Sequence, residues 1–406
     1  MNALRIFLYG EPVGTLVRLA DDRNLFSFDE GYIDDPGRPT LSLSFKDATG
    51  GLITSERPAR TKLPPYFSNL LPEGRMREYL AGRAGVKPER EFFLLGALGR
   101  NLPGALTAVP AAVSGQGAVE ETGKPPAKKH GGLLRFSLAG VQLKFSAAAD
   151  ARGGLTIPAG GEGGSWIVKL PSGAWRGIPE NEFSMLELAR RVGIDVPETR
   201  LVPVDKIKGL PKNIEVFGTQ ALTIKRFDRL PDGGLVHAED FAQVFGLYPD
   251  DKYGSASYRN VADVIRAEAG EEAAGEFIRR LVFTILIGNA DMHLKNWSLI
   301  YPDRVRAALS PAYDFVSTIH YIPGDSLALG LAGTKEFGKV DEDRLRRFAA
   351  LARLPERLVL DAAGKTVESF AREWRGAKDL PIESGVRKSL DNHLKSLPLW
   401  TRSARK

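Results

Sequence analysis

Three polar residues in the second half of the chain have the types and the spacing that phosphoryl transfer needs. Asp291 and Asn296 are separated by four residues, and Asp314 follows after two predicted strands. Carboxylate and amide oxygens are hard ligands that suit Mg²⁺, and a carboxylate beside an attacking hydroxyl can accept its proton. Asp and Asn are also common turn residues, so the spacing of Asp291 and Asn296 taken alone indicates turn capping rather than catalysis.

The elements predicted around these residues favour catalysis. Residues 281–287 are apolar on nearly every side, which is typical of a buried helix, and Gly288 ends this helix. Residues 297–309 then predict a hairpin of two short strands, which leads to Asp314 and Phe315. Protein kinases use the same order, in which a D-x-x-x-x-N loop carries the base and a metal ligand and a later Asp-Phe carries the second metal ligand. The sequence therefore predicts a phosphoryl-transfer site.

A lysine at the end of an apolar strand predicts contacts with nucleotide phosphates. In SWIVKLP this residue is Lys169, and it matches the kinase strand whose lysine binds the α- and β-phosphates. The amphipathic helix that follows carries Glu182 and Glu187, and either glutamate can pair with the lysine. A strand-end lysine can instead be solvated, and a glutamate in the first turn of a helix is also favoured by the helix dipole.

Two further segments fit the nucleotide side of such a site. LLRFSLAGVQLKFSAAAD predicts two strands whose turn, residues 137–141, can lay backbone N–H groups over phosphates, although an ordinary hairpin has the same pattern. Residues 224–228 end a strand and fit the connector that binds adenine through its backbone in two-lobed kinases. Phe227 in this connector is alternatively a simple core aromatic.

The composition excludes several other kinds of chemistry. The 406 residues include no cysteine, so disulfides, thiolate metal sites and thiol nucleophiles are excluded. The five histidines show no zinc-site spacing. The net charge of +6 permits contact with nucleic acid or an acidic partner without arguing for either. The chain shows no signal region and no apolar run of membrane-spanning length, so we expect a soluble cytoplasmic protein.

Changes of pattern divide the chain into four predicted regions. Residues 1–107 read as strands and then helices, which predicts a small α/β domain for packing and partner contact. Residues 108–132 are rich in Ala, Gly, Pro and Lys and lack periodicity, which predicts a mobile linker. Residues 133–228 form the predicted small lobe with the phosphate loop, and residues 229–406 form a helical large lobe with the catalytic loop. In the large lobe, HAEDFAQVFGL is expected to begin a helix, with Glu239 and Asp240 in its first turn. The predicted fold class is α+β, with a two-lobed, protein-kinase-like fold after a small β-rich α/β domain.

Taken in order, these segments resemble the HipA-type serine/threonine kinase toxins of bacterial toxin–antitoxin pairs. The similar stretches are RFSLAGVQLKFSA, WIVKLP, KRFDR, EDFAQVFGL, IGNADMHLKNWSL and YDFVS, together with LPPYFSNLLPEGRMRE in the first region. The resemblance covers nearly the whole chain. Asp-Phe-Val replaces the Asp-Phe-Gly of protein kinases, so inferences about an activation segment do not transfer from them.

The resemblance implies a role for each matched position. Asp291 is the implied catalytic base, and Asn296 and Asp314 are the implied Mg²⁺ ligands. Ser137 is the implied autophosphorylation site, whose modification silences the kinase by forcing the phosphate loop out of the site. The implied ATP-binding residues are Ser137, Leu138, Ala139, Gly140, Val141, Lys169, Lys225, Phe227, Asp228, Gln243 and His293.

The resemblance also implies partners and a target. These are a HipB-type helix-turn-helix antitoxin dimer, operator DNA bound with it, and an aminoacyl-tRNA synthetase (first of all the glutamyl type), whose phosphorylation halts translation and favours persistence. A phosphotransferase for a small molecule, such as an antibiotic or a sugar, would share the order of motifs. A pseudokinase corepressor in an antitoxin–DNA complex would need no active site. The intact Lys169, Asp291, Asn296 and Asp314 argue against this last alternative.

Overall fold

The computed structural model describes residues 2–55, 58–113, 119–120, 143–149, 154–158, 164–211 and 216–403. The predicted phosphate loop, residues 137–141, lies outside these ranges. The described part consists of three antiparallel sheets followed by a mainly helical C-terminal part. This arrangement confirms the predicted α+β class.

In the first strand of the first sheet, side chains alternate between buried and partly exposed positions from Leu4 to Leu8, as strand geometry requires. Leu4, Ile6 and Leu8 of its first strand are fully buried. The strands are β1 (Ala3–Leu8), β2 (Glu11–Arg18), β3 (Arg23–Phe28), β4 (Ala59–Arg60), β5 (Leu106–Val113) and β6 (Val119–Glu120). Their spatial order is β4-β3-β2-β1-β5-β6.

The structure differs from the prediction at the start of the expected linker. Residues 108–113 continue β5, which pairs with β1 from Leu106 opposite Leu8 to Ala111 opposite Ala3. Alanine has a low strand propensity, and this hid the strand in the sequence. In the structure Ala108 is buried in the core between the sheet and its helices. The boundary at residue 107 therefore falls inside a strand, while the rest of the domain division stays a prediction.

Four helices follow the early strands of the first region. They are α1 (Glu30–Asp34), α2 (Pro65–Ser68), α3 (Gly74–Ala84) and α4 (Glu91–Leu98). Phe67, Leu80 and Leu95 from the last three helices are buried in the same core as Ile6 of β1. The predicted packing role of this region is consistent with that core.

The second sheet holds Lys169 in its centre. Its strands are β7 (Lys144–Ala149), β8 (Leu155–Thr156), β9 (Trp166–Lys169), β10 (Thr199–Pro203) and β11 (Gln220–Lys225), in the order β10-β11-β9-β7-β8. Helix α5 (Ile178–Val192) packs against β10 and β11. Ala221 belongs to the core of the first region, whereas Leu222 and Ile224 belong to the core of the helical lobe. The sheet therefore packs against both regions.

The third sheet carries the predicted hairpin. Its strands are β12 (His237–Asp240), β13 (Ser298–Tyr301) and β14 (Ala308–Leu309), in that order. We expected Glu239 and Asp240 to begin a helix, but residues 237–240 form a strand because they pair with β13. Helix α6 (Phe241–Val244) begins only after Asp240, whose side chain accepts a hydrogen bond from the backbone of Gln243.

A long helix leads into the predicted catalytic loop. Helix α7 (Tyr258–Leu286) is interrupted at Gly270, and its last residues are buried all round, as the sequence predicted. The later helices are α8 (Glu342–Leu351), α9 (Glu356–Gly376), α10 (Ser384–Ser396) and α11 (Pro398–Ser403), and short 3₁₀ turns span Leu43–Phe45, Val204–Lys206, Pro249–Asp251, Leu294–Asn296 and Phe337–Lys339. Among the described residues, no helix combines the length and apolarity needed to cross a bilayer.

Candidate active site

A buried asparagine links the backbones of the two aspartates that the sequence singled out. Asn289 is fully buried directly after α7. Its Oδ1 accepts a hydrogen bond from the backbone N–H of Asp291 at 3.0 Å, and its Nδ2 donates to the carbonyl oxygen of Asp314 at 3.0 Å. No sequence motif pointed to this residue. An asparagine next to a fully apolar helix is the signal that could have identified it.

The carboxylate of Asp291 faces an open cleft and already binds a hydroxyl. Half of its side-chain surface is exposed, and its Oδ1 accepts a hydrogen bond from the Tyr253 hydroxyl at 2.5 Å. Partial burial nevertheless raises the pKa of Asp291. A carboxylate with a raised pKa that can reach a hydroxyl from the cleft has the properties of a general base.

His293 lies two residues further along in the same cleft. Its ring packs edge-on against Tyr253, with ring centroids 4.9 Å apart. Burial lowers the pKa of His293 to about 3, so the imidazole is neutral at physiological pH. Its Nδ1 is buried and has no hydrogen-bond partner within the described part of the chain. Such an atom costs about 1–3 kcal/mol unless a ligand satisfies it, so His293 fits a role in ligand contact.

Asn296 and Asp314 supply oxygen atoms that fit a divalent cation. The Asn296 Nδ2 donates to the backbone oxygen of Asp291 at 2.9 Å, which leaves the amide oxygen as the end that can bind a cation. Both residues line the cleft. No group of three or more His, Cys, Asp or Glu in the described ranges could hold a metal without other ligands. The pair therefore fits Mg²⁺, which usually takes only one or two protein ligands together with substrate phosphates.

Lys169 lies buried between two carboxylates, and the structure decides which glutamate it contacts. Its Nζ contacts Glu182 of α5 and also Asp314. Glu187 instead pairs with Arg190 and Arg191 on its own helix. Glu182 is therefore the partner that the sequence left open.

A second lysine, which the sequence analysis did not propose, lies beside Lys169. Lys144 of β7 is opposite Lys169 of β9 in the sheet register, and its Nζ lies 3.6 Å from the Asp314 carboxylate. Burial lowers the pKa of Lys144. Burial alone would raise the pKa of Asp314, but the two ammonium groups hold it well below its usual range. Two adjacent cations at a cleft suit the phosphates of a nucleotide.

An apolar cavity adjoins these charges on the side of the connector. Phe227 and Tyr313 lie at its wall with ring centroids 6.0 Å apart, beside Ile167 and Ile224. Such a lining suits a flat heteroaromatic ring. The backbone N–H of Lys225 donates to the carbonyl oxygen of Glu198 at 2.8 Å and is not available to a ligand. The residues shared by the cavity and the cleft are Lys144, Lys169, Lys295, Asn296 and Asp314.

Two residues expected near the nucleotide lie at this cavity with their polar groups engaged. The Asp228 carboxylate accepts hydrogen bonds from Arg226 and from the backbone N–H of Gly104, at 2.6–2.8 Å. The Gln243 side chain bonds the backbone N–H of Asp240 and the carbonyl oxygen of Tyr66. Both side chains hold neighbouring segments in place, and their predicted contact with nucleotide stays a prediction.

The fold and the cleft together define a two-lobed protein of the kinase-like class. The chain belongs to the HipA family: the family model of the HipA-like C-terminal domain matches residues 136–374, and that of the HipA N-terminal domain matches residues 4–109. This membership confirms the resemblance that the sequence motifs indicated.

Individual relatives agree with the family assignment. "Putative kinase Y4dM" of Sinorhizobium fredii is 53% identical over 409 residues, which cover 100% of this chain and 99% of that protein. Serine/threonine-protein kinase toxin HipA of Shewanella oneidensis is 26% identical over 320 residues, which cover 70% and 67%. A chain in the solved complex of HipA, HipB and operator DNA from the same species has a TM-score of 0.73 at 22% identity, with 99% and 97% coverage. The last comparison confirms the fold.

Proposed function

We propose that this protein is an ATP-dependent protein serine/threonine kinase that acts as the toxin of a toxin–antitoxin pair. The observation that carries the proposal is the convergence of Asp291, Asn296, Asp314 and the Lys169–Glu182 pair on one cleft beside an apolar cavity. Family members that are named as kinases support it. The order of the motifs alone would equally suit a small-molecule phosphotransferase, so the acceptor needs its own test.

Each group in the cleft has a task in this proposal. The cavity beside Phe227 receives the adenine, while Lys144 and Lys169 bind the phosphates. Asn296 and Asp314 would hold Mg²⁺, and the cation would supply positive charge that offsets the charge of the phosphates. Asp291 orients the incoming serine or threonine hydroxyl and accepts its proton as the oxygen attacks the γ-phosphorus and ADP leaves.

The proposed partners and target follow from the family. A HipA of Shewanella oneidensis has been solved with HipB and operator DNA, which supports a HipB-type helix-turn-helix antitoxin dimer and operator DNA as partners here. The proposed target is an aminoacyl-tRNA synthetase, with the glutamyl enzyme first. Ser137 is the proposed autophosphorylation site and off-switch. It lies outside the described residues.

An acceptor screen tests the proposal. Phosphatase-treated protein is incubated with Mg-ATP and, in turn, with purified aminoacyl-tRNA synthetases, aminoglycosides and sugars, and products are mapped by mass spectrometry. We expect phosphate on a serine or threonine of one synthetase and on Ser137 of the wild-type protein. The Ser137→Ala variant should carry no phosphate at position 137. Transfer only to a small molecule would identify the other phosphotransferase class. No transfer to any acceptor, combined with binding to antitoxin and DNA, would favour the pseudokinase corepressor.

A further inference from the structure

The N-terminal region reaches into the cleft that contains Asp291. Glu73 and Arg75, at the start of α3, line this cleft. Glu73 precedes the first residue of α3, but its side chain does not cap the helix. Its side chain turns instead toward two lysines of the predicted large lobe, residues 229–406. The Glu73 carboxylate lies 2.6 Å from the Nζ of Lys252 and 3.3 Å from the Nζ of Lys295. A single carboxylate of the first region thus contacts two cations.

One of the two lysines belongs to the predicted catalytic loop, and the other contacts it from outside. Lys295 is part of the 3₁₀ turn directly before Asn296, and only 4% of its side chain is exposed. The carbonyl oxygen of Lys252 accepts a hydrogen bond from the backbone N–H of Leu294 at 3.2 Å. The next residue, Tyr253, is the one whose hydroxyl binds Asp291. A shift of Lys295 would therefore move its neighbour Asn296, and a shift of Lys252 would move the hydrogen bond to Leu294.

A second residue of the first region strengthens the same connection. The Lys295 Nζ donates to the backbone oxygen of Asn69 at 2.9 Å and to its Oδ1 at 3.0 Å. The Asn69 Nδ2 donates in turn to the carbonyl oxygen of Leu247, at 2.7 Å, and of Pro65. Asn69 is buried, so these bonds are shielded from water. The end of α2 is thereby joined to the catalytic loop at one point and to the end of α6 at another.

We infer that Glu73 and Asn69 are positioning residues for the catalytic loop, so that the N-terminal region completes the active site in addition to packing against it. Neither residue touches the reacting atoms. They act through Lys295 and Lys252, whose positions set those of Asn296 and Tyr253. The catalytic part of this inference rests on the proposed kinase function, whereas the effect on loop order does not.

The physical reason is that the Glu73 carboxylate balances the charge of Lys252 and Lys295 in a largely buried cluster. Burial alone would raise the pKa of Glu73, but Lys295 and Lys252 lower it below its usual value, so the carboxylate is ionised. Replacement of Glu73 by glutamine keeps the volume and removes the charge. Among the described residues, Lys295 would then keep one of its two carboxylate partners, Asp240 at 3.5 Å. A buried cation that loses one of two counter-charges is destabilised, and we expect the loop that carries it to rearrange.

The test compares Glu73→Gln with Lys62→Met. Lys62 also forms an ion pair between the two regions, with Asp250 at 3.0 Å, but this pair is exposed and lies outside the cleft. The measurements are kcat, KM for ATP, and hydrogen exchange of residues 289–297. For Glu73→Gln we expect kcat to fall by about 10- to 100-fold, with KM for ATP changed less than about twofold and faster exchange confined to the loop. Lys62→Met should match the wild type in all three.

The possible outcomes separate this inference from the proposed function. If Glu73→Gln exchanges at the wild-type rate in residues 289–297, or if it loosens the whole N-terminal region equally, the positioning role is wrong. If the wild type transfers no phosphate, the proposed function fails, while the exchange data still decide whether Glu73 orders the loop. Asn69→Ala, which removes the side-chain contact to Lys295, is a second variant if Glu73→Gln does not fold.

Discussion

The side chains around Lys169 carry balanced charges, and their contacts restrict the movement of the Lys169 side chain. Lys169 contacts Glu182 and Asp314, and Lys144 lies on the other side of Asp314. Contacts with the two carboxylates outweigh burial and raise the pKa of Lys169, so it stays protonated. Lys169, for which we propose contact with the phosphates, is thus already held in place without nucleotide, which would reduce the entropy lost on binding.

Glutamine substitutions at Glu182 and Glu187 test this pairing. Glu182→Gln leaves Lys169 with Asp314 alone, so Asp314 stays bound to the lysine and is less free to hold a cation. We expect phosphate transfer to fall at least about tenfold, within the range for the loss of one electrostatic contact at a reaction centre. Glu187→Gln, on the same helix, disturbs only partly exposed ion pairs, and its transfer rate should stay within about twofold of the wild type.

Equal rates for the two glutamate variants would contradict the assignment of Glu182. The rate is measured with ATP in excess, and the thermal midpoints of both variants show whether the helix is intact.

The candidate site residues that the sequence identified are those with a recognisable spacing within one segment. Asp291, Asn296 and Asp314 are recognisable because the loop and the hairpin keep them within 24 residues of one another. Lys144 and Glu73 were not recognised, since their partners are 170 and 222 residues away in the chain, at Asp314 and Lys295. Ion pairs between distant segments leave no periodic signal. The choice between Glu182 and Glu187 stayed open for another reason, because both lie on the helix that follows Lys169 and spacing alone does not show which one faces the lysine.

Among the elements, the C-terminal end of α7 fixes the start of the predicted catalytic loop. Gly288 has a positive φ of 59°, and its carbonyl oxygen accepts hydrogen bonds from the backbone and the hydroxyl of Thr318. A Cβ at this position would lie 2.8 Å from side-chain atoms of Ile319. The turn therefore needs both the conformational freedom and the small size of glycine.

Gly288→Ala should destabilise the protein more than Gly246→Ala does. Gly246 has nearly the same φ, 60°, but a Cβ there would meet no atom within 4 Å. Gly246→Ala should cost about 1–2 kcal/mol for the left-handed backbone alone. Gly288→Ala carries the same strain plus the clash with Ile319, typically another 1–3 kcal/mol. Urea unfolding of both variants measures the difference. Equal urea midpoints would contradict the prediction and would mean that the Ile319 side chain moves aside without an energetic cost.

Elements with a clear period were predicted, whereas elements defined by pairing were not. The apolar end of α7 and the hairpin of β13 and β14 were expected from their patterns and are present. The sequence of β12 contains Glu239 and Asp240 before an apolar stretch, which is a helix-start pattern, yet these residues pair with β13. The end of β5 was mistaken for linker because its alanines carry little strand propensity. Tertiary pairing outweighed local preference in both cases.

At the scale of the whole molecule, the first region and the kinase-like part share buried polar contacts. His237 of β12 is completely buried, its Nε2 lies 2.8 Å from the carbonyl oxygen of Leu41, and its Nδ1 accepts from the N–H of Ala105 at 3.4 Å. A neutral ring satisfies both bonds, with Nε2 as the donor. Burial accordingly lowers the pKa of His237 from 6.5 to about 4.

His237 makes the stability of the molecule depend on pH. The unfolded chain takes up a proton below pH 6.5, but the folded chain does so only near pH 4, so the stabilisation is complete above pH 6.5 and is lost as the pH falls toward 4. Between pH 7.5 and pH 5 the wild type should lose about 2 kcal/mol of unfolding free energy more than His237→Gln, which does not titrate. Denaturant unfolding at both pH values measures this difference.

Glu239 does not affect this comparison. Burial raises its pKa to about 7, so ionisation of Glu239 destabilises the folded protein as the pH rises from about 4.5 to 7. This opposite trend is present in the wild type and in His237→Gln alike, and it cancels in their difference. An identical pH dependence in the two proteins would mean that His237 is protonated in the folded state or accessible to water.

Measurement of intact mass is the decisive test of the proposal that this cleft transfers the γ-phosphate of ATP with Asp291 as the base. Phosphatase-treated wild type and Asp291→Gln are incubated side by side with Mg-ATP and with the best acceptor from the screen. The wild type should add the mass of one phosphate to the acceptor, and the variant should add none while its thermal midpoint stays close to that of the wild type. Transfer by Asp291→Gln at the wild-type rate would contradict the account.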